Sequence, residues 1–267
     1  MRRIGSVRYV NAKPLISRFE TEGAESGVEL IEDVPSRLPA LLEAGEVEAI
    51  LVSSAYALTE PGRRIAEGCV IATYGAAQSV RLFSQVPLSE IRSLALDASS
   101  LTSNLLCRLV LDARYGARPE FETMPADLGR MLAGHDAALI MGDAGMLASH
   151  SALIEADLGL EWTEMTGLPF VWAVWAGDER LSSSLVGSLV SARDWGLLRL
   201  PEIVSACERL PGWGDGVARR YLSETMHYRM GEGDLAGLRL FREMVSERGW
   251  CSAGGFPELV RAEAVGV

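Results

Sequence analysis

Short apolar runs that end in polar residues recur along the first two thirds of the chain. Runs over 4–10, 47–52, 94–96 and 137–141 predict buried strands. Polar residues and then apolar residues at helical spacing follow these runs, so that strands and helices alternate. This order is typical of a parallel sheet covered by helices, in which ligands bind beyond the carboxyl ends of the strands.

The remaining elements follow from the same spacing rules. The run 4–10 stops at Asn11, and Pro14 leads into a predicted helix. Helices are predicted over 15–21, 35–45, 104–115, 126–134 and 144–149, and further strands over 28–31 and 69–74. From Asp178 onward the pattern is mostly helical, with amphipathic segments over 217–226 and 234–248.

Two extended segments predict a division of the chain into two α/β lobes. The segments 79–84 and 170–176 are expected to cross between the lobes. One lobe would combine 1–85 with 174–267, and the other would be the inserted stretch 86–173. Since clefts between lobes commonly bind small molecules, we expect a ligand there.

Composition and charge argue against several classes of function. The 267 residues are 48% hydrophobic and 23% charged, which is ordinary for a globular protein. A formal net charge of −11 argues against a nucleic-acid or anionic-membrane surface. The N-terminus lacks the apolar core of a signal peptide, and no run approaches the ~18 apolar residues of a membrane span. We therefore expect a cytoplasmic protein.

The residues that usually bind metals do not form a recognisable site in the sequence. The four cysteines, Cys69, Cys107, Cys207 and Cys251, lie far apart, as expected for free thiols in a reducing compartment. The three histidines form no HExxH or related motif. We therefore expect neither a metal nor an organic cofactor.

A hydroxyl-rich turn is the strongest candidate for ligand binding. Ser99, Ser100, Thr102 and Ser103 lie between a strand and a helix, where hydroxyls and free N–H groups bind carboxylate or phosphate. The alternative is a plain helix cap, which needs one hydroxyl. Four hydroxyls in five residues favour anion binding.

Other polar residues at strand ends leave their alternatives open. Asn11 could orient a substrate or shape its turn, and Ser53 with Ser54 could bind or cap. Asp143 could accept a proton, bind a ligand or cap the next helix, and Arg81 could clamp a carboxylate or reach solvent. No nucleophile paired with a base and no glycine-rich phosphate loop is present in the sequence.

Taken together, these motifs resemble one family, the chorismate dehydratases of the futalosine route to menaquinone. The resembling segments are VRYVNAKPL at 7–15, PSRLPALLEAGEVEAILVSSAYAL at 35–58, SVRLFS at 79–84, LALDASSLTSNLL at 94–106, AALIMGDAGM at 137–146, and TGLPF and VWAVWA over 166–176. They occur in the family's order, whereas the C-terminal helices match loosely. Ser53 stands where the family has a proline.

The resemblance implies a type II periplasmic-binding-protein-like fold, α/β with two lobes, and a cytoplasmic hydro-lyase without cofactor. The reaction would convert chorismate, a dicarboxylate, to 3-(1-carboxyvinyloxy)benzoate and water. Asn11 and Asp143 are the catalytic candidates; the proton acceptor is either Asp143 or the substrate's own enolpyruvyl carboxylate. The expected substrate-binding residues are Arg8, Ser53, Ser54, Ser79, Arg81, Ser99, Ser100, Thr102, Ser103, Gly142 and Thr166.

Two other functions remain compatible with these motifs. One is a cytoplasmic protein of the same fold that binds or senses a small anion without turnover. The other is the related naphthoate synthase of the same pathway, which is expected to use a histidine in the cleft, with His135 and His150 as candidates. The sequence leaves open whether the protein is a monomer or a dimer.

Overall fold

The computed structural model describes residues 1–251 and 254–263 of the chain. Its strands are β1 (Arg2–Ser6), β2 (Val28–Glu32), β3 (Ala49–Ser53), β4 (Arg64–Thr73), β5 (Val80–Ser84), β6 (Ser93–Asp97), β7 (Glu120–Met124), β8 (Ala137–Met141), β9 (Ile154–Asp157), β10 (Phe170–Gly177), β11 (Met226–Arg229) and β12 (Glu258–Val260). They form two separate sheets.

Helices cover both sheets. They are α1 (Lys13–Glu22), α2 (Leu38–Glu43), α3 (Ser54–Thr59), α4 (Leu101–Tyr115), α5 (Leu128–Gly134), α6 (Gly142–Leu147), α7 (Leu158–Thr166), α8 (Ser183–Leu198), α9 (Leu200–Cys207), α10 (Val217–Arg219) and α11 (Glu232–Glu247). Short 3₁₀ turns cover Val10–Ala12, Gly23–Ser26 and Leu88–Glu90, and a π-helical segment covers Arg220–Thr225.

The larger sheet has the strand order β11-β4-β10-β3-β1-β2, and β12 pairs with β4. Strands β1, β2 and β3 are parallel, with Ile4 opposite both Leu30 and Ala49. Strand β10 runs antiparallel to β3 and β4. We call this sheet with its helices the larger lobe. The sheet is mixed: the parallel pairing expected from the strand–helix alternation holds for β1, β2 and β3, and β10 adds antiparallel pairs.

The smaller sheet has the order β7-β6-β8-β5-β9, and we call it with α4 to α7 the smaller lobe. Strands β6, β7 and β8 are parallel. Strand β5 is antiparallel to both of its neighbours, because it enters this sheet from the larger lobe in the opposite direction.

Each extended segment that we expected to cross between the lobes belongs wholly to one sheet. Strand β5, assigned above to the first lobe, pairs within the smaller sheet. Strand β10, divided above between the lobes, pairs within the larger sheet. We therefore propose that the connections between the lobes run through 74–79 and 167–169.

Several elements have no signal in the sequence pattern. Strand β7 is largely exposed, so it carries no apolar alternation. Strand β11 lies at the end of the segment 217–226 that we expected to be one helix, and it forms because it pairs with the edge of β4. The rest of that segment is the short helix α10 followed by the π-helical segment.

The apolar core continues from one lobe into the other. At their junction Trp162 of α7 contacts Phe170 of β10 and Phe241 of α11 edge-to-face, with ring centroids 5.3 and 6.0 Å apart. The buried Trp162 indole also donates a hydrogen bond to the Pro169 carbonyl at 3.1 Å. Close packing of these rings fixes the orientation of the two lobes relative to each other at this junction.

Candidate active site

A cavity lies where strand ends of the two sheets meet, a location where small-molecule sites are common. Its polar lining residues are Tyr9, Asn11, Ser53, Ser79, Ser99, Ser100, Thr102 and Ser103. Its other lining residues are Val7, Pro35, Leu38, Leu51, Val52, Ile71, Val80, Met141, Gly142, Trp172, Ala173 and Met226. Most of the polar residues expected from the sequence are therefore brought together here.

The larger lobe contributes the ends of two adjacent parallel strands. Strand β1 ends at Ser6, and a 3₁₀ turn then carries Asn11 to the cavity before α1 begins. Strand β3 ends at Ser53, whose hydroxyl accepts the N–H of Tyr56 at 3.5 Å as the cap of α3. Because parallel strands end at one edge of a sheet, Asn11 and Ser53 face the same space.

The Asn11 side chain is held from the C-terminal part of the chain. Its amide nitrogen donates a hydrogen bond to the Tyr221 hydroxyl at 3.3 Å. That hydroxyl in turn donates to Ser79 at 2.8 Å. Burial raises the pKa of Tyr221, so its hydroxyl keeps its proton.

The hydroxyl-rich turn of the smaller lobe serves both as a cap and as cavity lining. The Ser100 hydroxyl accepts the Ser103 N–H at 3.1 Å and caps α4, and it contacts the Ser103 hydroxyl at 2.9 Å. The buried Asp97 carboxylate accepts the N–H of Ser99 at 2.8 Å and its hydroxyl at 2.6 Å. Asp97 also accepts the N–H of Met141 at 3.3 Å, so it holds two strand ends together.

Two of the expected binding hydroxyls make contacts between the lobes. The Thr102 hydroxyl accepts the N–H of Ala55 at 3.0 Å and lies 3.5 Å from the Ser54 hydroxyl. Ser54 itself is fully buried, donates to the Val171 carbonyl at 2.6 Å and is not part of the cavity lining. Thr102 lines the cavity, but part of its hydrogen-bonding capacity is already used.

Asp143 lies in the first turn of α6, outside the cavity lining. It does not cap this helix, whose N-cap is Met141. Its carboxylate accepts the backbone N–H of Val10 in the larger lobe, yet burial outweighs this bond and raises the pKa of Asp143. The N–H bond alone lowers the pKa of Asp143, but the net shift is upward because burial is the larger effect.

Gly142 is required by its backbone rather than by its size. Its φ angle of +66° lies in the left-handed region that residues with a side chain rarely adopt. A Cβ atom there would lie 3.5 Å from the Tyr9 ring, an ordinary contact distance. The glycine thus allows strand β8 to turn into α6 at the cavity wall.

Three other expected binding residues lie away from the cavity. Arg8 is largely exposed, and its Nε is 3.6 Å from a Glu32 carboxylate oxygen. Arg81 pairs with Glu155, donates to the Ala148 carbonyl and stacks over the Phe83 ring at 4.9 Å. Thr166 bonds within the end of α7, donating to the Trp162 carbonyl at 2.9 Å.

Two aromatic residues, Tyr9 and Trp172, complete the cavity lining. Tyr9 is half-buried beside Ser99, and burial raises the pKa of its hydroxyl. Trp172 donates to the Thr73 hydroxyl at 3.1 Å and presents an aromatic wall. Tyr9 lies beside Asn11 at the end of the first apolar run, where the sequence places a ligand. Trp172 was not expected, because it is indistinguishable in sequence from a core residue of its apolar strand.

The cavity lining carries no formal positive charge, because the described residues that line it include neither Lys nor Arg. An anion would instead meet hydroxyls, the Asn11 amide and the N-terminus of the 15-residue helix α4. Aligned backbone N–H groups and the helix dipole favour negative charge at such a position.

No group of three or more His, Cys, Asp or Glu side chains in 1–251 and 254–263 is placed to hold a metal ion. Within the same ranges, no helix combines the length and the apolar character needed to cross a bilayer.

Comparison with solved structures identifies the fold. A structural-genomics protein from Archaeoglobus fulgidus matches with a TM-score of 0.69 at 18% identity, over 92% of this chain and 97% of that chain. The periplasmic aliphatic sulphonate binding protein of Escherichia coli matches with a TM-score of 0.65 at 13% identity, over 100% of this chain and 94% of that chain. The expected periplasmic-binding-protein-like fold is thereby confirmed.

Comparison of sequences identifies the family. A chorismate dehydratase from Thermus thermophilus is 32% identical over 260 residues, covering 90% of this chain and 93% of the relative. A family model described as menaquinone biosynthesis matches residues 2–247. Strand-end residues of both lobes surround one cavity. On the match over residues 2–247 and the 32% identity, the chain belongs to the menaquinone biosynthesis family.

Proposed function

We propose that this protein is a chorismate dehydratase, which converts chorismate to 3-(1-carboxyvinyloxy)benzoate and water in menaquinone biosynthesis. The observation that carries the proposal is the convergence of Asn11 from the larger lobe and the turn Ser99–Ser103 from the smaller lobe on one cavity. The named Thermus relative supports the same activity. A cytoplasmic location accompanies the proposal as the usual place of such biosynthesis.

The lining of the cavity suits a small dicarboxylate. Two carboxylates need hydrogen-bond donors on two sides, and donors are available on Asn11 in one lobe and on Ser103 in the other. Trp172 and the apolar residues beside it provide a surface for the ring. Hydroxyl and amide donors hold the substrate while leaving its carboxylates less neutralised than a guanidinium would, so that a carboxylate can still act as a base.

The reaction removes a ring proton and a ring hydroxyl. The C–H electron pair forms the new π bond of the aromatic ring, and the hydroxyl leaves as water with the proton. The protein must hold the reacting atoms in line and exclude bulk water. Asn11, whose amide is anchored by Tyr221, is placed to orient the substrate carboxylate that accepts the proton.

Asp143 is the less suitable proton acceptor because of its position. A general base must lie within hydrogen-bonding distance of the proton that it removes. The Asp143 carboxylate binds the Val10 N–H and is not part of the cavity lining. We therefore propose that the enolpyruvyl carboxylate of the substrate is the base and that Asp143 supports the turn that carries Asn11.

The geometry disfavours the naphthoate synthase activity. That activity is expected to need a histidine in the cleft, and the described lining residues include none. His135 instead lies 3.2 Å from a Glu122 oxygen and contacts the Met131 carbonyl at 3.0 Å. His227 contacts Asp234 at 2.7 Å.

Incubation of the purified protein with chorismate tests the proposal. We expect loss of the diene absorbance of chorismate and formation of one equivalent of the aromatic product. Turnover should survive prior treatment with a chelator, given the absence of a candidate metal cluster among the described residues. Binding of chorismate without turnover would instead establish a sensing or binding protein, and dependence on one added metal would overturn the cofactor-free reaction.

A further inference from the structure

We propose that Tyr221 is a positioning residue, which orients the Asn11 amide and the Ser79 hydroxyl toward the cavity. Tyr221 lies in the π-helical segment Arg220–Thr225 and is 1% exposed. It is not part of the cavity lining, whereas Asn11 and Ser79 both are. The Tyr221 hydroxyl therefore acts on the cavity through these two side chains. The positioning role itself is independent of the proposed dehydration; only the expected change in kcat rests on it.

The direction of the hydrogen bonds follows from the chemistry of the three groups. The Asn11 amide nitrogen can only donate, so the Tyr221 oxygen accepts its hydrogen at 3.3 Å. The single phenolic hydrogen of Tyr221 is then donated to the Ser79 oxygen at 2.8 Å. Ser79 keeps its own hydrogen for another acceptor, and it lines the cavity. An anionic ligand therefore meets a hydroxyl donor that is oriented in advance.

The same chain of bonds fixes the Asn11 amide. With its nitrogen directed to Tyr221, the amide cannot rotate freely about its terminal bond. Supporting hydrogen bonds of this kind hold the residues of an active site in their productive geometry.

The segment that carries Tyr221 is itself attached to the lobe connection. The side-chain amide of Gln78 donates to the Thr225 hydroxyl at 2.8 Å. The π-helical segment therefore contacts two consecutive residues, Gln78 and Ser79. Gln78 has a φ of +64°, a conformation that residues other than glycine rarely adopt. The Tyr221 ring packs against Trp213 with centroids 5.4 Å apart. The π-helical segment and Gln78, whose backbone is strained, are therefore in direct contact. Both features often occur at functional sites.

The chain offers a closely matched control. Tyr228 is 2% exposed and lies in the neighbouring strand β11, yet its hydroxyl has no hydrogen-bond partner among the described residues. Tyr221→Phe and Tyr228→Phe therefore remove the same atom from similarly buried rings. We expect Tyr221→Phe to lower kcat for chorismate roughly 10- to 100-fold with a smaller change in KM, because misoriented groups slow the chemical step. Tyr228→Phe should leave kcat unchanged.

A spectroscopic measurement tests the positioning without any substrate. The sequence contains two asparagines, Asn11 and Asn104, so selective ¹⁵N labelling of asparagine yields two side-chain amide groups. Asn104 donates to the Asp97 carbonyl at 2.9 Å and serves as the internal reference. We expect Tyr221→Phe to shift the Asn11 amide signals and to leave those of Asn104 in place, while Tyr228→Phe shifts neither.

The outcomes separate this inference from the proposed function. Unchanged Asn11 signals in Tyr221→Phe, or an equal loss of kcat in both variants, would overturn the positioning role. If the wild-type protein fails to turn over chorismate while Tyr221→Phe still shifts the Asn11 signals, the proposed reaction is wrong and the positioning role is retained. A fall in kcat for Tyr221→Phe alone, with its melting temperature close to that of Tyr228→Phe, supports both.

Discussion

The hydroxyl of Thr102 accepts the backbone N–H of Ala55 at 3.0 Å, and this bond joins helix α4 of the smaller lobe to helix α3 of the larger lobe. Both residues are buried. A residue that we expected to bind substrate therefore also holds the two lobes together.

Thr102→Val should destabilise the protein while preserving the shape of the side chain. The buried N–H of Ala55 would lose its acceptor, which typically costs about 1–3 kcal/mol. The free energy of unfolding from urea titration measures this loss. Thr123→Val, at an exposed position in β7, is the control and should leave stability unchanged. Equal stability of the two variants would contradict the structural role of Thr102.

Ser103→Ala should separate substrate binding from helix capping. The Ser103 hydroxyl lines the cavity, whereas the cap of α4 is formed by the Ser100 hydroxyl and the Ser103 N–H. Loss of a hydrogen bond to a carboxylate should weaken chorismate binding by roughly 1–3 kcal/mol. The loss of stability should be smaller, because the Ser100 hydroxyl that loses its Ser103 acceptor also lines the cavity and can bond there. Ser100→Ala should lower stability by about 1 kcal/mol, because it removes the cap. Equal losses of affinity and stability in Ser103→Ala would instead indicate a structural role.

Asp143→Asn and Asn11→Ala distinguish the two possible proton acceptors. An asparagine at 143 retains an oxygen that can accept the Val10 N–H, so we expect its turnover rate to fall far less than the roughly 10²- to 10⁴-fold associated with loss of a general base. Asn11→Ala should be the more damaging change, because the substrate carboxylate loses its orienting group. Single-turnover rates under saturating chorismate measure both. Abolished turnover in Asp143→Asn with unchanged affinity, together with a mild effect of Asn11→Ala, would assign the base to Asp143.

The Asp112 carboxylate should contribute stability that depends on pH. Its hydrogen bonds with Arg118 at 2.6 Å and Arg248 at 2.8 Å lower its pKa below the ordinary value of 3.8, and the second bond joins α4 to the chain just beyond α11. A lowered folded-state pKa means that this contribution is present above about pH 3.8 and is lost as pH falls through the folded-state pKa.

Asp112→Asn should therefore reduce stability at neutral pH by about 1 kcal/mol, a size usual for partly exposed ion pairs. For a chain of this length the melting temperature falls by about 2–4 °C. The difference from wild type should shrink as pH decreases below 4. Glu247→Gln, an exposed acidic residue at the end of α11, is the control for the loss of one negative charge. A difference that does not change with pH would show that the carboxylate charge is not responsible.

The sequence by itself determined the alternation of strands and helices and the positions of the strand ends. Apolar runs with period two or with no polar interruption bury their side chains, so β3, β6 and β8 were predicted to within two residues at their ends. Strand β1 was predicted over 4–10 but ends at Ser6, because the chain turns there toward the 3₁₀ segment Val10–Ala12. Asn11 and the hydroxyls at 99, 100, 102 and 103 follow two of these runs and line the cavity. They end strands of different sheets, so the packing of the two lobes, and not one common sheet edge, brings them together.

The tertiary structure alone decided which of these polar groups are free to meet a ligand. Asp143 and Thr102 looked like substrate ligands in the sequence, but each bonds a backbone N–H of the opposite lobe. Tyr221 had no signal, because its hydroxyl reaches Asn11 across 210 positions of the chain. Hydrogen bonds between distant segments depend on how the two sheets pack, and local periodicity carries no information about that packing.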